Sequence, residues 1–151
     1  MRNIISDSSC LIALENIGML DLLKHLYGNI IISREVATEY GSKLEKWMTV
    51  RDITNKTYLR ILSGIVDEGE ASAIALYFEI KNSTLILDDL KARNLAKDLG
   101  IKYTGLMGVL VKAKQEKLIG AVKPVLFKLE ANNFRISENL KHSILKLSKE
   151  I

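Results

Sequence analysis

The stretch LILDDLKARNLAKDLGIKYTG, residues 85–105, contains two apolar runs separated by a helical pattern. Its first apolar run, LIL, has the character of a buried strand and ends in two adjacent aspartates, Asp88 and Asp89. A helical pattern follows and closes at Gly100, and a second β-favouring run covers residues 101–104. A strand, a helix and another strand in this order predict a βαβ unit with parallel strands.

The same alternation extends along most of the chain. Helical patterns separate short β-favouring runs, and this arrangement predicts a three-layered α/β architecture. The five predicted strands cover about residues 3–6, 30–33, 48–53, 84–87 and 101–104.

Serine, proline and glycine mark the expected ends of the helices. Ser33 and Ser137 have the residue type that caps a helix N-terminus, and Pro124 suits a first turn because no N–H is needed there. An apolar stripe from Val36 to Trp47 predicts a helix after Ser33. Other helices are expected to end near the glycines Gly28, Gly100 and Gly120.

The composition fits a single soluble domain over residues 1–151. The chain is 48% hydrophobic and 26% charged, which is enough apolar sequence for one core. No apolar run reaches the length of a membrane span, and the first apolar stretch is too short for a signal peptide. The single cysteine, Cys10, excludes an intramolecular disulfide, and a Cys/His zinc site is implausible with only two histidines. We therefore expect a cytoplasmic protein without a membrane partner.

Charge is unevenly divided along the chain. Residues 1–90 carry 9 Lys and Arg against 13 Asp and Glu, a net charge of −4, whereas residues 91–151 carry 13 against 5, a net charge of +8. An acidic part that binds cations and a basic part that attracts phosphates would suit a metal site acting on a polyanion. Solvated lysines on helix faces are the alternative, and for any single lysine it is the better interpretation.

Acidic residues occupy positions where a parallel sheet binds its ligands. The crevice of such a sheet lies beyond the carboxyl ends of its strands, near the point where the strand order reverses. Asp7 follows the first predicted strand, and Asp88 and Asp89 follow the fourth. Glu39 lies on the inward flank of its helix, and Glu70 opens another helix. These acids are expected to meet at one edge of the sheet.

Each acid also has a structural alternative. Asp7 and either residue of the pair Asp88 and Asp89 would cap the helix that follows, and Glu70 would favour the positive end of its helix. Together these alternatives are less satisfactory. Two bare carboxylates about 4 Å apart repel by roughly 4 kcal/mol at an effective dielectric constant of about 20, so a cluster of them needs protons or cations.

The type of ligand indicates the chemistry. Oxygen-only ligands suit Mg²⁺ or Mn²⁺, and such ions activate a water and stabilise the leaving oxygen of a phosphodiester, which is nuclease chemistry. Other phosphate enzymes are disfavoured, because the chain has no G-x-x-x-x-G-K-[ST] motif and no Asp-x-Asp after the first strand.

Two neighbouring residues leave alternatives. Glu68 competes with Glu70, but Gly69 is expected to break the approach and to leave Glu68 in the loop before the helix. Arg93 lies four residues after Asp89 on the same predicted helix, where pairing with that aspartate is favoured over contact with a phosphate.

Five segments carry a family resemblance: IISDSSCLIAL, VATEY, DEGEASAIALY, LILDDLKARNLAKDLGIKYTG and LMGVLVKAKQEKLIG. Their order and spacing resemble the PIN-domain family, in particular its prokaryotic branch related to the VapC toxin ribonucleases. The similarity covers about residues 2–120, which leaves a C-terminal helical extension at 121–151. The resemblance implies a three-layer α/β/α sandwich with a central, mainly parallel five-stranded sheet.

The resemblance also implies a function. It indicates an Mg²⁺- or Mn²⁺-dependent endoribonuclease that hydrolyses single-stranded or structured RNA. In the toxin branch it further implies inhibition by a cognate antitoxin and frequent homodimerisation. The alternatives are a PIN module that binds nucleic acid or an antitoxin without turnover and, more weakly, a metal-dependent phosphatase.

Roles carry over position by position. Asp7 matches the first acid of the family, Glu39 the second and Glu70 the third, where many members have Asp. The fourth acid is Asp88 or Asp89, and we favour Asp88 because it directly follows the strand. Asp7, Glu70 and one residue of this pair would hold the metal, and Glu39 would bind it or orient its waters.

Other positions would support the site or face the RNA. Ser8 or Ser9 matches the small hydroxyl residue that follows the first acid. Aromatic residues make up only 6% of the chain, which gives weak support to base stacking. The candidate RNA-binding residues are Lys91, Arg93, Lys97, Lys112 and Lys114.

Overall fold

The computed structural model describes residues 2–151, in which five strands form one sheet between layers of helices. The strands are β1 (Asn3–Ser6), β2 (Ile30–Ser33), β3 (Met48–Arg51), β4 (Ser83–Ile86) and β5 (Tyr103–Thr104). The helices are α1 (Ser8–Asn16), α2 (Asp21–Tyr27), α3 (Arg34–Tyr40), α4 (Lys56–Ser63), α5 (Glu68–Glu79), α6 (Leu90–Asp98), α7 (Leu106–Gln115), α8 (Lys123–Ala131) and α9 (Glu138–Leu147).

All the strand pairs are parallel, and the order in the sheet is β3-β2-β1-β4-β5. In register, Ile5 of β1 lies between Ile31 of β2 and Leu85 of β4. The chain runs outward from β1 to β3 and then returns to the other side of β1. The order therefore reverses between β1 and β4, and a ligand crevice is expected beyond their carboxyl ends.

Both faces of the sheet are buried, as a parallel sheet between helices requires. Successive strand residues alternate between two cores, so that Ile4 and Ile5 of β1 enter different ones. The first core packs α1, α2, α3, α7, α8 and α9 against the sheet, and the second packs α4, α5 and α6. The predicted α/β/α sandwich with a parallel five-stranded sheet is confirmed.

Several predicted helix ends are also confirmed. Ser33 caps α3 through a hydrogen bond from the Val36 N–H at 2.9 Å, and Ser137 caps α9 through one from the Leu140 N–H at 3.1 Å. Pro124 lies in the first turn of α8. The predicted starts of these helices follow from local hydrogen bonding alone.

Other boundaries differ from the prediction. The stripe that reaches Trp47 does not form one helix, because α3 ends at Gly41, whose left-handed φ of 71° lets its N–H bond to Ala37. Trp47 is nevertheless buried, since the connection to β3 folds back over the core. Helix α7 ends at Gln115, well before Gly120. The helix α4 has no counterpart among the predicted elements.

The segment 121–151 belongs to the first core. Several of its apolar residues are buried in that core, namely Val125, Leu126, Leu129, Ile144 and Leu145. The carboxylate of Glu150 anchors the end of this segment. Glu150 accepts hydrogen bonds from the N–H groups of Val122 and Lys123 at 2.7 and 2.9 Å, and Lys114 Nζ lies 3.1 Å from it. Glu150 therefore joins α7, the start of α8 and the end of the chain.

These contacts make Glu150 a stability determinant that depends on pH. Burial raises the pKa of Glu150, but the hydrogen bonds from Val122, Lys123 and Lys114 outweigh it and lower the pKa to about 2. Because the folded pKa lies below the ordinary value, the stabilisation is present above about pH 4.5 and is lost as the pH falls towards 2. Urea unfolding should show Glu150→Ala destabilised by about 2 kcal/mol at pH 7, and by much less near pH 3.

Glu138→Ala is the matched control, because the Glu138 side chain is 89% exposed and makes only a surface ion pair with Lys141. It should unfold like the wild type at both pH values. Equal destabilisation of Glu150→Ala at neutral and acidic pH would contradict the role given to its charge.

Candidate active site

Asp7 connects the ends of the two central strands. Its backbone N–H donates to Ile86 O at 3.0 Å, and its side chain, only 2% exposed, accepts two further backbone hydrogen bonds. Oδ1 accepts from the Cys10 N–H at 3.0 Å and caps α1, and Oδ2 accepts from the Asp88 N–H at 3.0 Å. The capping role and a place in the site thus coexist in one carboxylate.

Asp88 lies beside Asp7 at the end of β4. Its Oδ1 accepts a hydrogen bond from the Leu106 N–H at 2.8 Å, at the start of α7. Its Oδ2 is buried and has no hydrogen-bond partner within residues 2–151. A buried carboxylate oxygen without a partner is energetically costly, so this atom is a candidate ligand for a cation or for a donor group of a substrate.

Asp89 has a different role. It is exposed and caps α6, with Oδ2 accepting from the Ala92 N–H at 3.0 Å. Of the two adjacent aspartates, Asp88 therefore points towards Asp7 and Asp89 begins the helix. The assignment of Asp89 as a metal ligand stays a prediction.

The expected pairing of Arg93 with Asp89 is absent from the ion pairs of the described chain. Arg93 instead lies near Asp88 and over the ring of Tyr103.

Glu39 reaches the site from the last turn of α3. Its Oε1 accepts a hydrogen bond from Ser8 Oγ at 2.8 Å, which places the carboxylate next to the start of α1. The same carboxylate lies directly over Gly69 of α5, where an added Cβ would come within 2.0 Å of Oε1. The Glu39 carboxylate can therefore occupy this position only because Gly69 has no side chain.

Glu70 lies in the first turn of α5, which Asp67 caps through a hydrogen bond from the Glu70 N–H at 3.0 Å. The prediction for Glu68 was wrong in one respect, because Gly69 does not break the helix and Glu68 is its first residue. Glu68 instead lines a groove with Lys56 and Arg60 of α4. Glu70 is half-buried, and the charge of Asp7 contributes to its raised pKa.

Burial is the main cause of the raised pKa values among the acids, and repulsion by neighbouring acids adds to it at Asp7 and Glu70. Burial raises the pKa of Asp7 to about 7, with the Asp88 charge next in size and two backbone hydrogen bonds opposing both. Burial, then the neighbouring Asp67, and then the charges of Asp89 and Asp7 raise the pKa of Glu70 to about 8. Burial raises the pKa of Asp88, against the Leu106 hydrogen bond and the charge of Arg93. Protons or cations stabilise such a cluster.

Oxygen donors, an unpartnered carboxylate oxygen and raised pKa values fit a hard divalent cation. Within residues 2–151, however, no three Asp, Glu, His or Cys side chains converge closely enough to coordinate one ion. Asp7 and Asp88 are fixed by backbone hydrogen bonds, whereas Glu39 is exposed and Glu70 half-buried. A cation would therefore require the glutamates to move towards the aspartates.

The other predicted residues lie in several places. Ser8 is part of the site through Glu39, but Ser9 is exposed in a separate pocket between α1 and α8. Lys112 is over the ring of Tyr27, 4.7 Å from its centroid. Lys114 is held by Glu150, and Lys91 and Lys97 are exposed on α6. Of the five predicted basic residues, Arg93 is the one for which the structure records an interaction with the acids.

A family model described as a PIN domain matches residues 3–150, and the chain belongs to this family. No curated protein matches the chain. PIN domains are generally nucleases and typically use divalent metal ions, so membership indicates a nuclease that binds nucleic acid. None of the helices in the described part of the chain is long and apolar enough to cross a membrane.

The position of Gly69 gives a test of how Glu39 is placed. In Gly69→Ala the new Cβ would displace only the flexible end of Glu39, so we expect the free energy of unfolding to change by less than about 1 kcal/mol. The Ser8–Glu39 hydrogen bond should be lost. In a double-mutant cycle by urea unfolding, Ser8→Ala should therefore destabilise the wild type by about 0.5 to 1 kcal/mol and the Gly69→Ala background hardly at all.

Gly64→Ala is the matched control for this cycle, because a Cβ there would meet only Ile61 O, at 3.4 Å. Its effect should add to that of Ser8→Ala. Additivity in the Gly69→Ala background as well would show that Gly69 does not determine the position of Glu39.

Proposed function

We propose that the protein is a divalent-metal-dependent ribonuclease that hydrolyses phosphodiester bonds of single-stranded RNA. The observation that carries the proposal is the unpartnered, buried Oδ2 of Asp88 next to Asp7, whose own pKa is raised to about 7. A bound cation would give the Asp88 oxygen a partner and would offset the cost of burying the Asp7 charge. Membership of the PIN-domain family supports nuclease chemistry.

Asp7, Asp88 and Glu70 would hold Mg²⁺ or Mn²⁺. When bound, the ion supplies activation of a water and stabilisation of the leaving oxygen. Asp7 keeps the ends of β1 and β4 at a fixed separation through its hydrogen bond from the Asp88 N–H. Asp88 is anchored to α7 through the Leu106 N–H. Rigid backbone anchors of this kind reduce the reorganisation that binding requires.

Glu39 would complete the site by binding the ion or by orienting its waters. Ser8 holds the Glu39 carboxylate by a hydrogen bond, and Gly69 provides the space over which it lies. Glu70, with a pKa of about 8, holds a proton near neutral pH in the metal-free protein and would lose it to the solvent when a cation binds. Asp89 would act on the site through its charge and through the start of α6.

We further propose that this nuclease is the cytoplasmic toxin of a toxin–antitoxin pair and acts as a homodimer. The support is the resemblance of five segments to the VapC branch. An adjacent small gene encoding a DNA-binding antitoxin would support this role. Its absence would remove the toxin assignment and leave the nuclease chemistry unaffected.

Purified protein with Mn²⁺ should cleave single-stranded RNA. Asp7→Asn should cleave at least about a hundredfold more slowly, because the substitution weakens the metal site. It also places an amide N–H₂ group against a backbone N–H donor. Gel analysis of a labelled RNA over time would measure both rates. Asp98→Asn, at the exposed end of α6, is the control and should cleave like the wild type.

Intact RNA with the wild type, or equal cleavage by Asp7→Asn, would contradict the proposal. Binding of RNA or of an antitoxin without cleavage would favour a PIN module that has no turnover. Hydrolysis of a generic phosphomonoester with RNA left intact would favour the phosphatase.

A further inference from the structure

A groove of about 330 Å³ begins at Asp88 and runs between α7 and the connection from α8 to α9. One end is the acidic edge of the sheet, and every other residue along it comes from the basic part of the chain after residue 90. A phosphate held at the acids would therefore have its neighbouring nucleotide at the mouth of this groove.

Two arginines give the groove a positive wall. The Arg93 guanidinium lies over the ring of Tyr103, with its carbon 5.5 Å from the ring centroid, and it makes none of the ion pairs in the described chain. Arg135 lines the same groove, is exposed and belongs to none of the ion pairs in the described chain. The groove thus contains an arginine whose charge no neighbouring carboxylate neutralises.

Aromatic and small residues give the groove a shape that suits a base. Tyr103 and Phe134 are both partly exposed along it, although the chain has few aromatic residues. Gly105 lies where the groove meets the site, and a Cβ there would come within 2.9 Å of Asp88 Oδ1 and 3.6 Å of Arg93 Nη1. A side chain at this position would crowd the Asp88 carboxylate and the Arg93 guanidinium at this end of the groove.

We propose that this groove binds one nucleotide of single-stranded RNA next to the cleaved phosphate, with Arg93 and Arg135 on the phosphate and Phe134 against the base. The proposal rests on the proposed ribonuclease function. It gives the connection between α8 and α9 a direct part in substrate binding.

The test is equilibrium binding of a short fluorescein-labelled single-stranded RNA, followed by anisotropy in EDTA over a range of NaCl concentrations. Arg135→Ala should weaken binding about tenfold and reduce the slope of log K against log[salt] by about 0.7, as expected for one lost phosphate contact. Phe134→Leu keeps the apolar packing of this residue and removes its ring face. It should weaken binding by about five- to tenfold with the slope unchanged.

Arg60→Ala is the matched control, since it removes one exposed arginine from α4, which packs on the other face of the sheet. It should bind within about twofold of the wild type. Binding by Arg135→Ala and Phe134→Leu equal to that of Arg60→Ala would overturn the proposal, as would a wild type that does not bind the RNA.

Metal-free binding separates this proposal from the nuclease proposal. A wild type that cleaves RNA, with binding unaffected by either groove variant, would refute the groove and leave the nuclease function intact. Groove-dependent binding without cleavage under Mn²⁺ would refute the nuclease and support the groove.

Discussion

The carboxylate of Asp7 is the constraint on which the rest of the site depends. Its two oxygens accept hydrogen bonds from the Cys10 N–H, in the first turn of α1, and from the Asp88 N–H, which follows β4. The two central strands are thereby held together at their carboxyl ends, where the strand order reverses. The same contact buries a negative charge beside a second one, and the raised pKa of Asp7 reflects this opposition.

Negatively and positively charged side chains lie in different parts of the site. Acids from four helices or strand ends surround the edge between β1 and β4, and the groove leading away from Asp88 is lined by residues from the basic third of the chain. A cation at the edge would balance the acids, and the phosphates of a single strand would follow the arginines. The segment 121–151 is integral to this design, because it both completes the first core and forms one wall of the groove.

The sequence predicted the five strands to within about two residues at each end, since a strand depends on local pattern. An apolar run followed by Asp88 and Asp89 is visible without coordinates, and the capping of α6 by Asp89 follows from its position before a helix. The space that Gly69 leaves for Glu39 was not predicted, because it depends on the packing of α5 against α3. Likewise, the end of α3 at Gly41 depended on one left-handed residue within a continuous apolar stripe. The partners of Arg93 and Lys114 also come from long-range packing.

Calorimetric titration with Mn²⁺ would show whether Asp88 is a metal ligand, using a matched pair of substitutions. Asp88→Asn retains an acceptor for the Leu106 N–H and replaces the unpartnered oxygen, and Asp89→Asn retains a good helix cap. We expect the wild type and Asp89→Asn to bind Mn²⁺ with similar affinity and Asp88→Asn to bind at least about tenfold more weakly. Equal affinity of Asp88→Asn and the wild type, or no binding by the wild type, would contradict the assignment of Asp88 as a metal ligand.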